Sequence, residues 1–202
     1  NIINTHKIET TNISGTKTWE DDNNRDGIRP DEITIKLFGN DKLIETKKVS
    51  ANDNWIYEFT NLPVYENGKE IRYRVDEESV NNYSKSINGF NITNTHEIET
   101  TSISGTKTWE DDNNRDGLRP NSIEVNLYAN NELVETKEVN ANSNWTYEFT
   151  NLPVKDNGKK IEYRVDENEV EGYTGVIDGY NITNKHNPIT KTIKGSKLWV
   201  DQ

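Results

Sequence analysis

Apolar and polar residues alternate along this chain with a period of two. Ile13, Gly15, Lys17 and Trp19 share one parity, while Ser14, Thr16 and Thr18 take the other. The alternation continues through Ile33, Ile35 and Leu37, then Leu43, then Trp55, Tyr57 and Phe59. It resumes at Ile71, Tyr73 and Val75, then Ile87, then Phe90 and Ile92. Successive side chains of a strand point to opposite faces, so each run reads as a strand with one buried face. On this reading Trp55 and its counterpart Trp145 are core residues. Turn-forming pairs such as Asp26-Gly27, Asn67-Gly68 and Asn88-Gly89 separate the runs. No stretch carries apolar residues at helical spacing. About seven short antiparallel strands predict an all-β sandwich. An odd number of alternating strands makes the first and last parallel, so the chain enters at one pole and leaves at the other.

The pattern occurs twice. Residues 9–98 and 99–188 align without a gap at an offset of 90, with 58 identical positions. "SGTKTWEDDNNRDG" at 14–27 returns unchanged at 104–117. Ninety residues suit an autonomous small domain better than a solenoid repeat. The frame also runs past both ends. "IINTH" at 2–6 matches "ITNTH" at 92–96, and "IKGSKLW" at 193–199 matches "ISGTKTW" at 103–109. The expected organisation is the tail of one repeat (1–8), two whole repeats (9–98 and 99–188) and the head of another (189–202). The chain thus reads as a piece of a longer protein. The linker over 97–102 lacks Gly and Pro, which predicts a stiff succession of domains.

Three polar residues break the apolar face. Lys17 stands between Gly15 and Trp19, Glu77 continues Ile71, Tyr73 and Val75, and Asn94 continues Phe90 and Ile92. The second repeat has Lys107, Glu167 and Asn184 at the same places. An isolated polar group of this kind costs several kcal/mol to bury, so each needs a partner. Together they suggest a reaction. A desolvated lysine becomes a neutral amine nucleophile, and a desolvated glutamic acid stays protonated and can polarise the Asn carbonyl. Attack of the amine on Asn Cγ, with loss of ammonia, would leave a side-chain amide. Parity alone equally accommodates an ordinary ion pair at a strand end, with Asn94 in a turn.

The stretches "SISGTKTWEDDNNRDGLRP", "WTYEFTNLPV", "KKIEYRVDENEVEGYT" and "IDGYNITNKH" resemble the Cna B-type (collagen-adhesin B-repeat) domains of Gram-positive surface adhesins. The resemblance covers essentially the whole chain. It implies a reverse-immunoglobulin, prealbumin-like sandwich of seven strands. It also implies spontaneous Lys–Asn isopeptide bonds, Lys17 to Asn94 and Lys107 to Asn184, promoted by Glu77 and Glu167. Glu78 has outward parity and is Asn168 in the second repeat, so it is set aside.

Composition narrows the partners. The net charge is −11 and the hydrophobic fraction 30%, close to that of disordered chains, but five Trp, nine Tyr and four Phe can fill small cores. An acidic surface does not hold nucleic acid or an anionic membrane. There are no cysteines, which excludes disulfides and thiolate metal sites. No membrane-spanning run is present. Asp22, Asn24, Asp26 and Gly27 match the opening of a calcium loop. The bidentate Glu at its twelfth position is missing, because Ile33 and Ile123 stand there. A hydrogen-bonded turn capped by arginine is the expected structure, with no metal and no cofactor. His6, His96 and His186 are one repeat position and read as strand-end residues.

The expected function is a structural stalk of a cell-wall-anchored extracellular adhesin, monomeric and not an enzyme. Its partners would be adjacent repeats and an adhesive head domain elsewhere in the protein. The alternative is an adhesive module that itself binds a host protein or a carbohydrate. The mostly Thr, Asn, Lys and Glu outward positions disfavour it.

Overall fold

A computed structural model describes residues 2–4 and 7–200. His6 lies outside the described residues. The chain falls into two compact units, the first running up to Glu99 and the second from Thr100 onward apart from Lys155–Lys159. The first contains β1 (Thr10–Glu20), β2 (Glu32–Gly39), β3 (Lys42–Ser50), β4 (Ile56–Pro63), β5 (Tyr65–Glu66), β6 (Lys69–Glu70), β7 (Tyr73–Glu77), β8 (Ser84–Asn88) and β9 (Asn91–Thr95). Seven of these build two sheets, in the orders β4-β1-β9-β8 and β3-β2-β7. β5 and β6 form a separate two-residue hairpin. This is a prealbumin-like sandwich.

β1 changes partner half-way. Thr10 to Thr16 pair antiparallel with β4, and Lys17 to Glu20 pair parallel with β9. First and last strands therefore lie side by side and point the same way. The change falls beside Gly15, where a Cβ would stand 1.8 Å from the Phe90 carbonyl oxygen. Only glycine allows that approach. Tyr57 fills the space beside it and donates its hydroxyl to the same carbonyl.

The core lies between the sheets. Phe59, Ile35, Leu37 and Ile92 are fully buried, and each contributes about 1.5–3 kcal/mol on transfer from water. Three expectations need correction. Leu43 is 48% exposed, because the β2–β3 register shifts between Leu37 and Phe38 and breaks the parity of β3. Ile87 pairs with buried Ile92 but is 40% exposed. It sits on the outer strand of the four-stranded sheet, which a three-stranded sheet cannot fully cover. Trp55 precedes β4 with φ of 59° and packs only partly buried against the core edge.

The second repeat follows the same plan with β10 (Thr100–Glu110), β11 (Ser122–Ala129), β12 (Glu132–Asn140), β13 (Thr146–Pro153), β14 (Lys155–Asp156), β15 (Lys159–Lys160), β16 (Tyr163–Glu167), β17 (Thr174–Asp178) and β18 (Asn181–Lys185). Its sheets run β13-β10-β18-β17 and β12-β11-β16. Trp145, with φ of 55°, has the same partly buried placement as Trp55. No helix among the described residues is long and apolar enough to cross a membrane.

Candidate functional site

Lys17, Glu77 and Asn94 come from three strands and both sheets. Lys17 is on β1 where its parallel pairing with β9 begins. Asn94 is on β9 opposite Trp19, and Glu77 ends β7 opposite Ile35. All three are buried, at 2%, 3% and 1% exposure, as are Lys107 and Asn184 at 2% and 1%. Glu167 is slightly more open, its side chain 7% exposed. Lys17 Nζ lies 3.7 Å from Glu77 Oε1, and Lys107 Nζ 3.0 Å from Glu167 Oε1.

The surroundings are aromatic. Lys17 Nζ sits 4.0 Å from the Trp19 ring centroid, and Lys107 Nζ 4.4 Å from that of Trp109. Trp19 is fixed edge-on by Trp55 and Tyr83, at centroid distances of 5.3 and 5.0 Å. The Trp55 carbonyl accepts the Lys17 main-chain N–H at 2.8 Å. The left-handed turn at Trp55 thus brings an aromatic wall to the lysine and extends the ladder at the same time.

Burial shifts lysine and acid alike toward their neutral forms. It pulls Lys17 down to about 8, against the attraction of Glu77, and it lowers Lys107 as well. Burial also raises Glu77, against the opposing effects of Lys17 and of the Asn94 side chain. Tyr57, walled in beside the same acid, is pushed up to about 12, chiefly by burial. The pair is driven toward neutral amine and neutral acid. The Oδ1 atoms of Asn94 and Asn184 are buried without a hydrogen-bond partner, as are both carboxyl oxygens of Glu77. A protonated Glu77 is a donor, and Asn94 Oδ1 is an acceptor in want of one.

The DDNNRDG loop is organised by Asp21, a residue outside the calcium-like spacing. Asp21 is 2% exposed. It accepts from the Asn24 N–H at 2.9 Å, from Arg29 through Nε at 2.9 Å and through a second guanidinium nitrogen, and from the Tyr83 hydroxyl at 2.8 Å. Burial alone would raise its carboxyl, but these donors hold it down at about 2. Asp111, Asn114, Arg119 and Tyr173 repeat the arrangement. The sequence carried the signal, because Asp21 continues the inward parity of Lys17 and Trp19. Among the calcium-like positions, Asp22 pairs with Arg25, and the Asn24 side chain accepts the Arg29 N–H at 2.8 Å. Asp26 takes His96 Nε2 at 2.9 Å and the Glu99 N–H at 3.0 Å.

The sequence profile of the Cna protein B-type domain matches residues 13–95 and 103–185. The chain belongs to the Cna B-type domain family. Among curated proteins it is 42% identical over 209 residues to a protein named collagen adhesin from Staphylococcus aureus. The match takes in all of this chain but 18% of that protein's length. Among solved structures it is similar to two B repeat units of the collagen binding protein of Staphylococcus aureus. That similarity has 41% identity and a TM-score of 0.83, and covers 89% of this chain and 50% of the other.

Proposed function

We propose that residues 9–98 and 99–188 are stalk repeats of a bacterial surface adhesin anchored to the cell wall, each locked by an internal Lys–Asn isopeptide bond. The relatives' names support the adhesin setting. The observation that carries the bond is the buried trio, present in both repeats and set between first and last strands. The neutral Lys17 amine attacks Asn94 Cγ. Protonated Glu77 stabilises the charge that develops on Oδ1 and passes protons from the amine to the departing nitrogen. One C–N bond forms, one breaks, and one ammonia leaves. Lys107 attacks Asn184 in the same way in the second repeat, with Glu167 beside them. The fold holds the reactants in contact and so supplies most of the rate. Each site reacts once, so the repeats are not enzymes. They need no cofactor, and the adhesive head is a separate domain of the longer protein.

Intact mass tests this. Two closed bonds leave the chain about 34 Da below its sequence mass, one ammonia of about 17 Da for each. A mass equal to the sequence value overturns the proposal.

A further inference from the structure

The two sites differ at one position that faces the trio. Residue 85 lies directly across the β8–β9 ladder from Asn94, and residue 175 lies across from Asn184. Directly opposed residues of an antiparallel pair present their side chains on the same face. Whatever stands at 85 or 175 therefore stands beside the reacting amide. In the first repeat it is Lys85. Its Nζ pairs with the Asp76 carboxylate and donates to the Glu77 carbonyl oxygen at 2.8 Å, which lays the side chain across the end of β7. The Glu77 side chain is 0% exposed.

In the second repeat the position is Gly175. A Cβ built there would stand 3.1 Å from Asn184 Oδ1 and 3.8 Å from Glu167 Oε2, so the glycine directly borders both groups. A cleft of about 200 Å³ runs to this point, lined by Glu167, Gly175, Ile177, Ile182 and Asn184. Water occupies about 30 Å³ per molecule in the liquid, so several molecules fit. The cleft is lined by Glu167, whose side chain is 7% exposed, and by Asn184, whose buried Oδ1 has no hydrogen-bond partner. The Glu167 side chain gives the cleft a polar wall, where its counterpart Glu77 in the first repeat is wholly covered.

We infer that residue 85 and its counterpart 175 gate solvent access to the cross-linking site, with Lys85 sealing the first and Gly175 leaving the second open to water and small solutes. This rests on the cross-link reading above. The open cleft gives the released ammonia an exit. The same path brings water to the finished amide.

The experiment uses the full chain with ¹⁵N-labelled lysine. A closed bond converts the lysine Nζ to an amide N–H, whose signal separates from those of free amines. Its exchange into D₂O reports access. The Lys107 amide should exchange at least about tenfold faster than that of Lys17. Lys85→Gly should accelerate exchange at the first site, and Gly175→Lys should slow it at the second. Lys85→Met, which keeps the cover without the charge, should leave the first site slow. Intact mass on each variant shows that both bonds have closed. Equal wild-type rates, rates unmoved by the Gly and Lys exchanges, or fast exchange in Lys85→Met overturn the gate. A mass without ammonia loss overturns the cross-link reading, and the gate with it.

Discussion

A buried lysine beside a buried glutamate has two ways to lower its free energy, and they have opposite chemical consequences. As an ion pair it needs further hydrogen bonds to offset desolvation. At the Lys17–Glu77 site those bonds are few. Lys17 Nζ has the Thr18 carbonyl at 3.1 Å, and the Glu77 carboxyl oxygens have no hydrogen-bond donor placed on them. As a neutral pair the desolvation cost falls, and the products are the nucleophile and the acid that amide formation needs. The acid can therefore be separated from the fold by mutation. Glu77→Ala should leave the first repeat folded but unlinked while the second still closes. The intact-mass deficit then drops from about 34 Da to about 17 Da. The unlinked repeat also loses stability, by roughly 4–5 kcal/mol if the closure acts like a disulfide over a long loop. An unchanged deficit of two ammonias would transfer the role to a neighbouring acid such as Asp76. The inward placement of Lys17, Glu77 and Asn94 was legible from parity, because a strand with one buried face leaves a polar residue on that face conspicuous. The difference between the sites was not. Lys85 and Gly175 lie on an edge strand whose residues are all exposed, so alternation there points nowhere.

At the scale of elements, the long strands were legible and their interruptions were not. Strong alternation over 13–19, 33–37 and 57–59 fixes strands because register errors there would expose an entire apolar set. Leu43 and Ile87 lie where a bulge or an uncovered edge decouples parity from burial, and no local signal marks either. His96 is a further case. Its role depends on residues 14 and 70 positions away. Nδ1 faces the Asn82 carbonyl at 2.9 Å and Nε2 faces the Asp26 carboxylate at 2.9 Å. Both partners are acceptors, an arrangement that favours the imidazolium, the form in which both nitrogens donate. Asp21 adds to the field, and Tyr83 packs its ring at 5.4 Å. His186 repeats this with Gly172, Asp116, Asp111 and Tyr173. The hydrogen bond to Asp26 raises His96, and that to Asp116 raises His186. A raised folded value means the stabilisation is complete below the unfolded pKa of about 6.5 and is lost as pH climbs through the folded value. The melting temperature, followed from about pH 5 to about pH 9, should therefore fall more steeply in the wild type than in a His96→Gln/His186→Gln variant. Parallel profiles would mean that neither histidine is charged in the native state.

At the scale of the whole molecule, the parallel β1–β9 pair determines how a repeat answers tension. Its two ends emerge from strands that lie side by side, and force applied to them shears that pair. Four residue pairs, Lys17 with Ile92 to Glu20 with Thr95, form the ladder, and each hydrogen bond contributes only about 0.5–1.5 kcal/mol net. An amide between Lys17, which opens that ladder on β1, and Asn94, opposite Trp19, would join the same two strands covalently. Residues 18–93, 76 in all, then lie outside the force path. The load would run along β1 from Thr10 to Lys17, its first eight residues, across the amide and out through Thr95, the last residue of β9, so most of the sandwich would be bypassed instead of pulled open. Freed of the bond, 76 residues extend by about 250 Å at roughly 3.3 Å per residue. Single-molecule stretching of the wild type should show no extension of that length from either repeat. Lys17→Ala should restore one such event, Lys107→Ala one from the second repeat, and the double variant two. The single variants also act as each other's control, because the untouched repeat in each must stay closed under the same load. Two full-length events in the wild type would exclude a load-bearing cross-link, whatever the mass of the chain.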